Sequence, residues 1–301
     1  MSVAAETQPK VRRQSGSKAF SQWFGGLPLR LTIVLIAFIW TLPTVGLLIS
    51  SFREPIAIQT SGWWDALLHP FEEAQWTIEN YATVFTEGDM GTAFLNSFLV
   101  TVPSVVIPIT IAAFAAYAFA WLQFPGRNFL FALVIALMVV PLHMALIPML
   151  RLYTNLNLNG TFLGVWLAHT GFGLPLAVYL LHGYISSLPK EIIESAQIDG
   201  ASPMTTFTNL VLPLSVPAIA SFAIFQFLWV WNDLLVALVF LGTSRDTAVV
   251  TANLARLIGD RGQDWHLLTA GAFVTMIVPL IIFFSLQRYF VRGLTAGSVK
   301  G

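Results

Sequence analysis

The segment Ser187-Leu-Pro-Lys-Glu-Ile-Ile-Glu-Ser-Ala-Gln-Ile-Asp-Gly200, continued by Ala201-Ser-Pro-Met-Thr-Thr-Phe-Thr-Asn-Leu-Val-Leu-Pro213, is a polar interruption between two long apolar runs. Its punctuation predicts two short helices joined by a tight turn. Ser187 stands as an N-cap with Pro189 in the first turn, and Glu191 suits the positive end of the helix dipole. Gly200 fits the C′ position, where φ is positive. Ser202 and Pro203 restart a helix as N-cap and first helical residue. On the first helix Ile192, Ile193 and Ala196 share a face, while Glu191, Glu194 and Ser195 lie away from it. Ala196 and Ala201, small residues around the glycine, permit close approach of another protein surface. On residues alone the segment reads either as an amphipathic hairpin at a membrane interface or as a docking site.

Outward from this segment the chain is strongly apolar. Of 301 residues 56% are hydrophobic and 10% charged, against about 25% charged in an ordinary soluble domain. So few charges cannot cover that much apolar surface in water, and lipid is the solvent that accommodates it. A helix needs about 20 mostly apolar residues to cross the hydrocarbon core. Six stretches qualify, at Leu29–Ser51, Phe94–Leu122, Phe129–Leu150, Phe162–Leu181, Leu214–Leu241 and Ala270–Phe290. The first is too long for a signal-peptide core and no small-residue cleavage site follows it. Prolines 43, 103, 108, 141 and 148 fall inside spans, where bundle neighbours satisfy the freed backbone groups.

Basic residues orient the spans. With the N-terminus in the cytoplasm, the inner segments hold ten of them (Lys10, Arg12, Arg13, Lys18, Arg30, Arg127, Lys190, Arg288, Arg292 and Lys300). The outer segments hold five (Arg53, Arg151, Arg245, Arg256 and Arg261). Both termini are therefore expected in the cytoplasm, and the 187–213 segment with them. The outer loop 52–93 carries Trp63, Trp64 and Trp76, which serve as interfacial anchors or as contacts for a partner.

Several chemistries are excluded. Fifteen basic and fifteen acidic residues cancel, so bulk charge does not suggest nucleic acid, and no cysteine exists for a disulfide, a thiolate site or a thiol nucleophile. None of Lys10, Lys18, Lys190 and Lys300 follows a glycine, so there is no phosphate-binding loop, and neither a serine nucleophile elbow nor a zinc-protease motif occurs. His69, His143, His169, His182 and His266 are scattered, and no metal site is expected. In the fifth span Trp229-Val-Trp231-Asn232-Asp233 places a carboxylate at membrane depth, where acids face a cavity or a partner. Trp231, Asn232 and Asp233 suit stacking and hydroxyl hydrogen bonding along a solute pathway, or an interhelical hydrogen bond. A translocation subunit powered from outside competes with an ion-coupled secondary transporter, which usually carries more intramembrane acids or repeat pairs.

The pattern Glu194-Ser195-Ala196, three residues, Gly200, nine residues, Leu210-x-Leu212-Pro213 resembles the EAA loop of ABC importer permeases. Ser195 replaces that pattern's second-position alanine and Leu210 its isoleucine. The resemblance implies an all-α integral membrane protein of type I importer architecture. Six transmembrane helices over 29–290 would carry a coupling helix near 185–213, flanked by cytoplasmic tails at 1–28 and 291–301. It also implies that Glu194, Ser195, Ala196, Asp199, Gly200, Ala201, Leu212 and Pro213 couple the chain to an ATPase. The ending Arg292-Gly-Leu-Thr-Ala-Gly-Ser-Val-Lys-Gly301 is similar to the tail of maltose-type sugar permeases, which implies ATPase contact through Gly297, Lys300 and Gly301. The implied partners are a homologous second permease, two ATPase subunits that bind the ATP and Mg, and an extracytoplasmic sugar-binding protein. The chain itself would hold no cofactor and sit in the cytoplasmic (inner) membrane, taking up an oligosaccharide or α-glucoside such as maltose or trehalose by alternating access.

Overall fold

The computed structural model describes residues 27–72, 75–257 and 264–296, and every regular element among them is a helix. The long helices are α1 (Leu27–Ser51), α5 (Met90–Trp121), α8 (Phe162–Ser186) and α14 (Trp265–Ala296). Short helices α2 (Pro55–Thr60), α3 (Asp65–Leu68) and α4 (Glu79–Thr86) fill the first loop. Then come α6 (Arg127–Leu137), α7 (Leu142–Asn155), α9 (Lys190–Ile198), α10 (Pro203–Leu214), α11 (Val216–Trp231), α12 (Leu235–Leu241) and α13 (Val250–Arg256). Four helices among the described residues are long and apolar enough to cross a membrane, and the bent pairs α6–α7 and α10–α11 bring the number to six.

Two spans expected as continuous are broken. The third turns through 100° between α6 and α7. Pro141 sits there in extended backbone at φ −65°, ψ 126°; it has no N–H to continue the ladder, and it disfavours helix in the residue before it. The fifth bends by 69° where α10 meets α11 at Ser215. It then stops at Trp231 instead of running to Leu241. There Asn232 turns its amide back to the Leu228 carbonyl at 2.7 Å, a local bond that competes with the helix. The last helix passes the expected end at Phe290 and continues to Ala296.

At three other prolines the helix runs on unbroken, and a neighbour answers the carbonyl that each of the three frees. A proline cannot donate to the carbonyl four residues before it. Pro103 thus orphans Leu99, whose carbonyl accepts from Trp166 Nε1 of α8 at 2.8 Å. Pro108 orphans Ser104, which accepts from Gln226 Nε2 of α11 at 3.2 Å. Pro279 orphans Thr275, which accepts from Trp231 Nε1 at 3.2 Å. Around these bonds α5, α8, α11 and α14 enclose the apolar core, including Ala112, Ala116, Ala177, Leu181, Phe222 and Phe227.

The Trp231–Pro279 pair is testable. Trp231→Phe leaves a carbonyl orphaned in hydrocarbon and should destabilise the bundle by about 1–3 kcal/mol. Adding Pro279→Ala restores an N–H within α14, so the double variant should recover most of that loss in detergent unfolding. Purely additive effects of the two substitutions would disprove the pairing.

The first loop is organised around one cation. Arg53 is 1% exposed. Its guanidinium donates to Gln75 Oε1 at 3.0 and 3.2 Å, to the Ser61 and Gly62 carbonyls at 3.2 and 2.9 Å, and to Ser61 Oγ at 2.6 Å. Burial lowers its proton affinity, with Asp65 at 4.0 Å pulling the other way. Asn80 Nδ2 holds the Ser51 and Arg53 carbonyls from below. On the same face Asn96 Nδ2 reaches the Asp246 and Ala248 carbonyls at 2.9 and 3.0 Å, fastening the 242–249 connection to α5. Trp63 lies against α1, where a Cβ on Gly46 would come within 2.8 Å of its indole nitrogen. Trp76 donates to the Pro70 carbonyl at 2.8 Å.

Candidate functional site

The α8–α9–α10 segment lies on the face opposite the first loop, at the ends of α5 and α8, where Trp121 Nε1 meets the Ile185 carbonyl at 3.2 Å. Ser187 does not start α9. Its hydroxyl turns back to the Tyr184 carbonyl at 2.7 Å and closes α8, and α9 begins after Pro189 without a side-chain cap. Asp199 is the C-cap of α9 and Gly200 the C′ residue at φ +76°. The Ala201 N–H bonds the Ala196 carbonyl at 2.9 Å and the Gly200 N–H the Gln197 carbonyl at 3.1 Å, the two bonds of a Schellman turn. Ser202 caps α10, accepting from the Thr205 N–H at 3.2 Å. Within α10, residues Phe207–Val211 form a π-turn ahead of Pro213.

Burial sorts the expected coupling residues into two groups. Ile193 and Ala196 are buried with Phe207 and Val211, so Ala196 approaches its own chain instead of offering a face to a partner. The reason is the stripe it shares with Ile193, which anchors α9 to the apolar core. Leu212 and Ala201 are half-buried. Glu194, Ser195, Asp199, Gly200 and Pro213 are exposed. The Ser195 hydroxyl is bonded within its helix to the Glu191 carbonyl at 2.6 Å. Glu194 pairs with Lys190 at 2.7 Å and holds that ammonium's proton affinity above its ordinary value, but an exposed i,i+4 pair adds little to stability. Two apolar knobs beside Gly200 were missed, Ile198 at 86% and Met204 at 57% exposure. Ile198 follows Ile193 by five residues, which turns it about 140° off the anchored stripe; that spacing was the available signal.

Of the two readings of the Trp229–Asp233 stretch, the structure shows an interhelical hydrogen bond at Trp231, and Trp231, Asn232 and Asp233 face different surroundings. Trp231 is buried, stacked on Phe227 at 5.6 Å and edged by Phe94 and Phe98, because its N–H serves the Thr275 carbonyl. Asn232 is exposed. Asp233 holds the start of α12 by accepting from the Ala237 N–H at 3.0 Å, and its carbonyl takes the Thr251 hydroxyl at 2.6 Å. Its carboxylate also stands 3.9 Å from His169 Nε2 of α8. Gly297, Lys300 and Gly301 lie outside the described residues.

The family model "Binding-protein-dependent transport system inner membrane component" matches residues 108–296, from the middle of α5 through the helix–Gly200–helix segment to the end of α14. The chain belongs to this family. It is an ABC importer permease, a subunit type that performs no catalysis of its own, and the secondary-transporter reading is set aside. The permease is 59% identical over 291 residues to the osmoprotective compounds uptake permease protein GgtD of Synechocystis sp., covering 97% of this chain and 98% of that one. It is 44% identical to the alpha-glucoside transport system permease protein AglG of Rhizobium meliloti, covering 91% of this chain and 97% of that one. Among solved structures, a chain of a bacterial ABC transporter involved in the import of alginate superposes with a TM-score of 0.72 at 19% identity. That match covers 94% of the permease and all of that chain, and supports the helical fold.

Proposed function

We propose that this permease is one half of the translocation path of a sugar importer, taking up α-glucosides or related neutral oligosaccharides such as maltose or trehalose. The observation that carries the coupling part is the α9–Gly200–α10 corner. It is anchored to the bundle by Ile193 and Ala196, yet presents Glu194, Ile198, Asp199 and Met204 outward. A corner anchored on one side and exposed on the other suits a groove on an ATPase subunit that moves on binding ATP and Mg. With the N-terminus and this corner in the cytoplasm, the Arg53-centred loop faces an extracytoplasmic binding protein. A homologous second permease and two ATPase copies complete the assembly. The similarity to GgtD and AglG supports the substrate class.

Reconstitution tests the proposal. The permease should co-purify with nucleotide-binding subunits, and proteoliposomes holding the complex and binding protein should accumulate labelled maltose or trehalose only with ATP. Uptake by the permease alone, driven by a proton gradient, would overturn it.

A further inference from the structure

Polar atoms without partners are concentrated between α5, α8 and α11. Of the eight buried side-chain N and O atoms lacking a hydrogen-bond partner among the described residues, six lie here. They are Thr101 Oγ1 and Ser104 Oγ on α5, both ring nitrogens of His169 and Thr170 Oγ1 on α8, and Gln226 Oε1 on α11. All five residues are at most 7% exposed. Gln226 ties the helices together: its amide nitrogen bonds the Ser104 carbonyl, and its head lies against Gly173, where a Cβ would come within 2.6 Å of Nε2. Thr170 is one turn from Gly173 on α8, and Thr101 one turn from Ser104 on α5. His169 stands edge-on to Trp229 at 5.5 Å, with Asp233 at 3.9 Å. Polar groups left unpaired in an apolar interior are costly, and those at membrane depth commonly mark solute pathways.

The segment on the far side of this seam is bounded by breaks. α11 is hinged at Ser215, itself with an unpartnered buried hydroxyl, and at Asn232–Leu234. We propose that the seam is a solute-contacting surface: α11 swings from α5 and α8 during turnover, and Thr101, Ser104, His169, Thr170 and Gln226 then bond the hydroxyls of a neutral polyhydroxylated solute. This rests on the sugar-importer reading above. Hydroxyl and imidazole side chains both donate and accept, and the Gln226 oxygen accepts, which matches sugar hydroxyls. Parting an apolar seam would expose hydrocarbon to water, whereas parting this one gives its unpaired groups hydrogen bonds.

The chain has no native cysteine, so single reporters can be placed in the full complex. In proteoliposomes Ser104→Cys and Thr170→Cys should resist a membrane-impermeant methanethiosulfonate at rest. They should react during ATP turnover with binding protein, and be protected by maltose or trehalose. Ala270→Cys, fully buried on α14 outside this seam, should stay unreactive. Thr170→Val removes a hydroxyl that bonds nothing among the described residues, so it should leave thermal stability unchanged or higher. It should still lower uptake about fivefold, the value of one hydrogen bond to a neutral solute. Reporters that never react in a transporting complex, or that react without sugar protection, overturn the inference, as does unchanged uptake by Thr170→Val. Failure of the unsubstituted complex to take up either sugar instead overturns the proposed function.

Discussion

Gly200→Val is expected to abolish most coupled uptake while ATP hydrolysis continues and the bundle remains folded. Gly200 sits at φ +76°, and an added Cβ would meet nothing within 4 Å. The penalty is therefore in the backbone and not in packing. A left-handed conformation costs an ordinary L-residue about 1–2 kcal/mol, and a β-branched side chain fares worst. Valine would relieve that strain by unwinding the Schellman turn, releasing the Ala201–Ala196 and Gly200–Gln197 bonds and re-aiming Ile198 and Met204. A corner that transmits motion cannot tolerate that change of angle, so transport per ATP should fall by about tenfold, as expected for roughly 1.4 kcal/mol of lost coupling. Gly200→Asn tolerates positive φ and should retain most coupling; Glu194→Lys should uncouple by charge reversal on the exposed face. Uptake and ATPase rates measured side by side decide the matter. Full coupling in both Gly200→Val and Glu194→Lys would refute the assigned role.

Arg53→Met should produce the largest loss of structure. It deletes five hydrogen bonds and leaves Gln75, Ser61 and the 61–62 carbonyls without their donor. Removing one partner of such a buried charged network costs about 3–5 kcal/mol. The loss should be confined to the 52–89 loop, because α5, α8, α11 and α14 hold their own core. Hydrogen exchange should therefore accelerate across 52–89 and stay unchanged in α8. Arg53→Lys should rescue little, since an ammonium cannot reproduce the planar fork. Uniform acceleration through the bundle, or none in the loop, would contradict this assignment.

The membrane class and the number of apolar segments were legible because lipid demands about twenty apolar residues per crossing. Their continuity was not. Pro103, Pro108 and Pro279 lie within unbroken helices, while Pro141 marks a 100° turn. At Pro103, Pro108 and Pro279 a distant indole or amide answers the freed carbonyl, and no local pattern records that. The same gap left Trp231 open between a solute pathway and an interhelical hydrogen bond; its N–H meets the carbonyl freed by Pro279, 48 residues later. Gly200 was legible because a glycine after a short amphipathic helix has one common use, a positive-φ C′ position. Ser187 was not, because a serine three residues before a helix can bond forward or back, and here it bonds back to Tyr184. The polar seam was invisible for another reason. Thr101, Ser104, Thr170 and Gln226 are lone polar residues in apolar runs, and only packing reveals that they meet.

The three proline–donor bonds also bear on how the bundle assembles. α5 enters the bilayer with two carbonyls, and α14 with one, that their own ladders cannot satisfy, and lipid offers no substitute. An incorrect neighbour of matching shape would leave such a carbonyl facing hydrocarbon. Helix order is thereby proofread by chemistry: α5 is complete only beside α8 and α11, and α14 only beside α11.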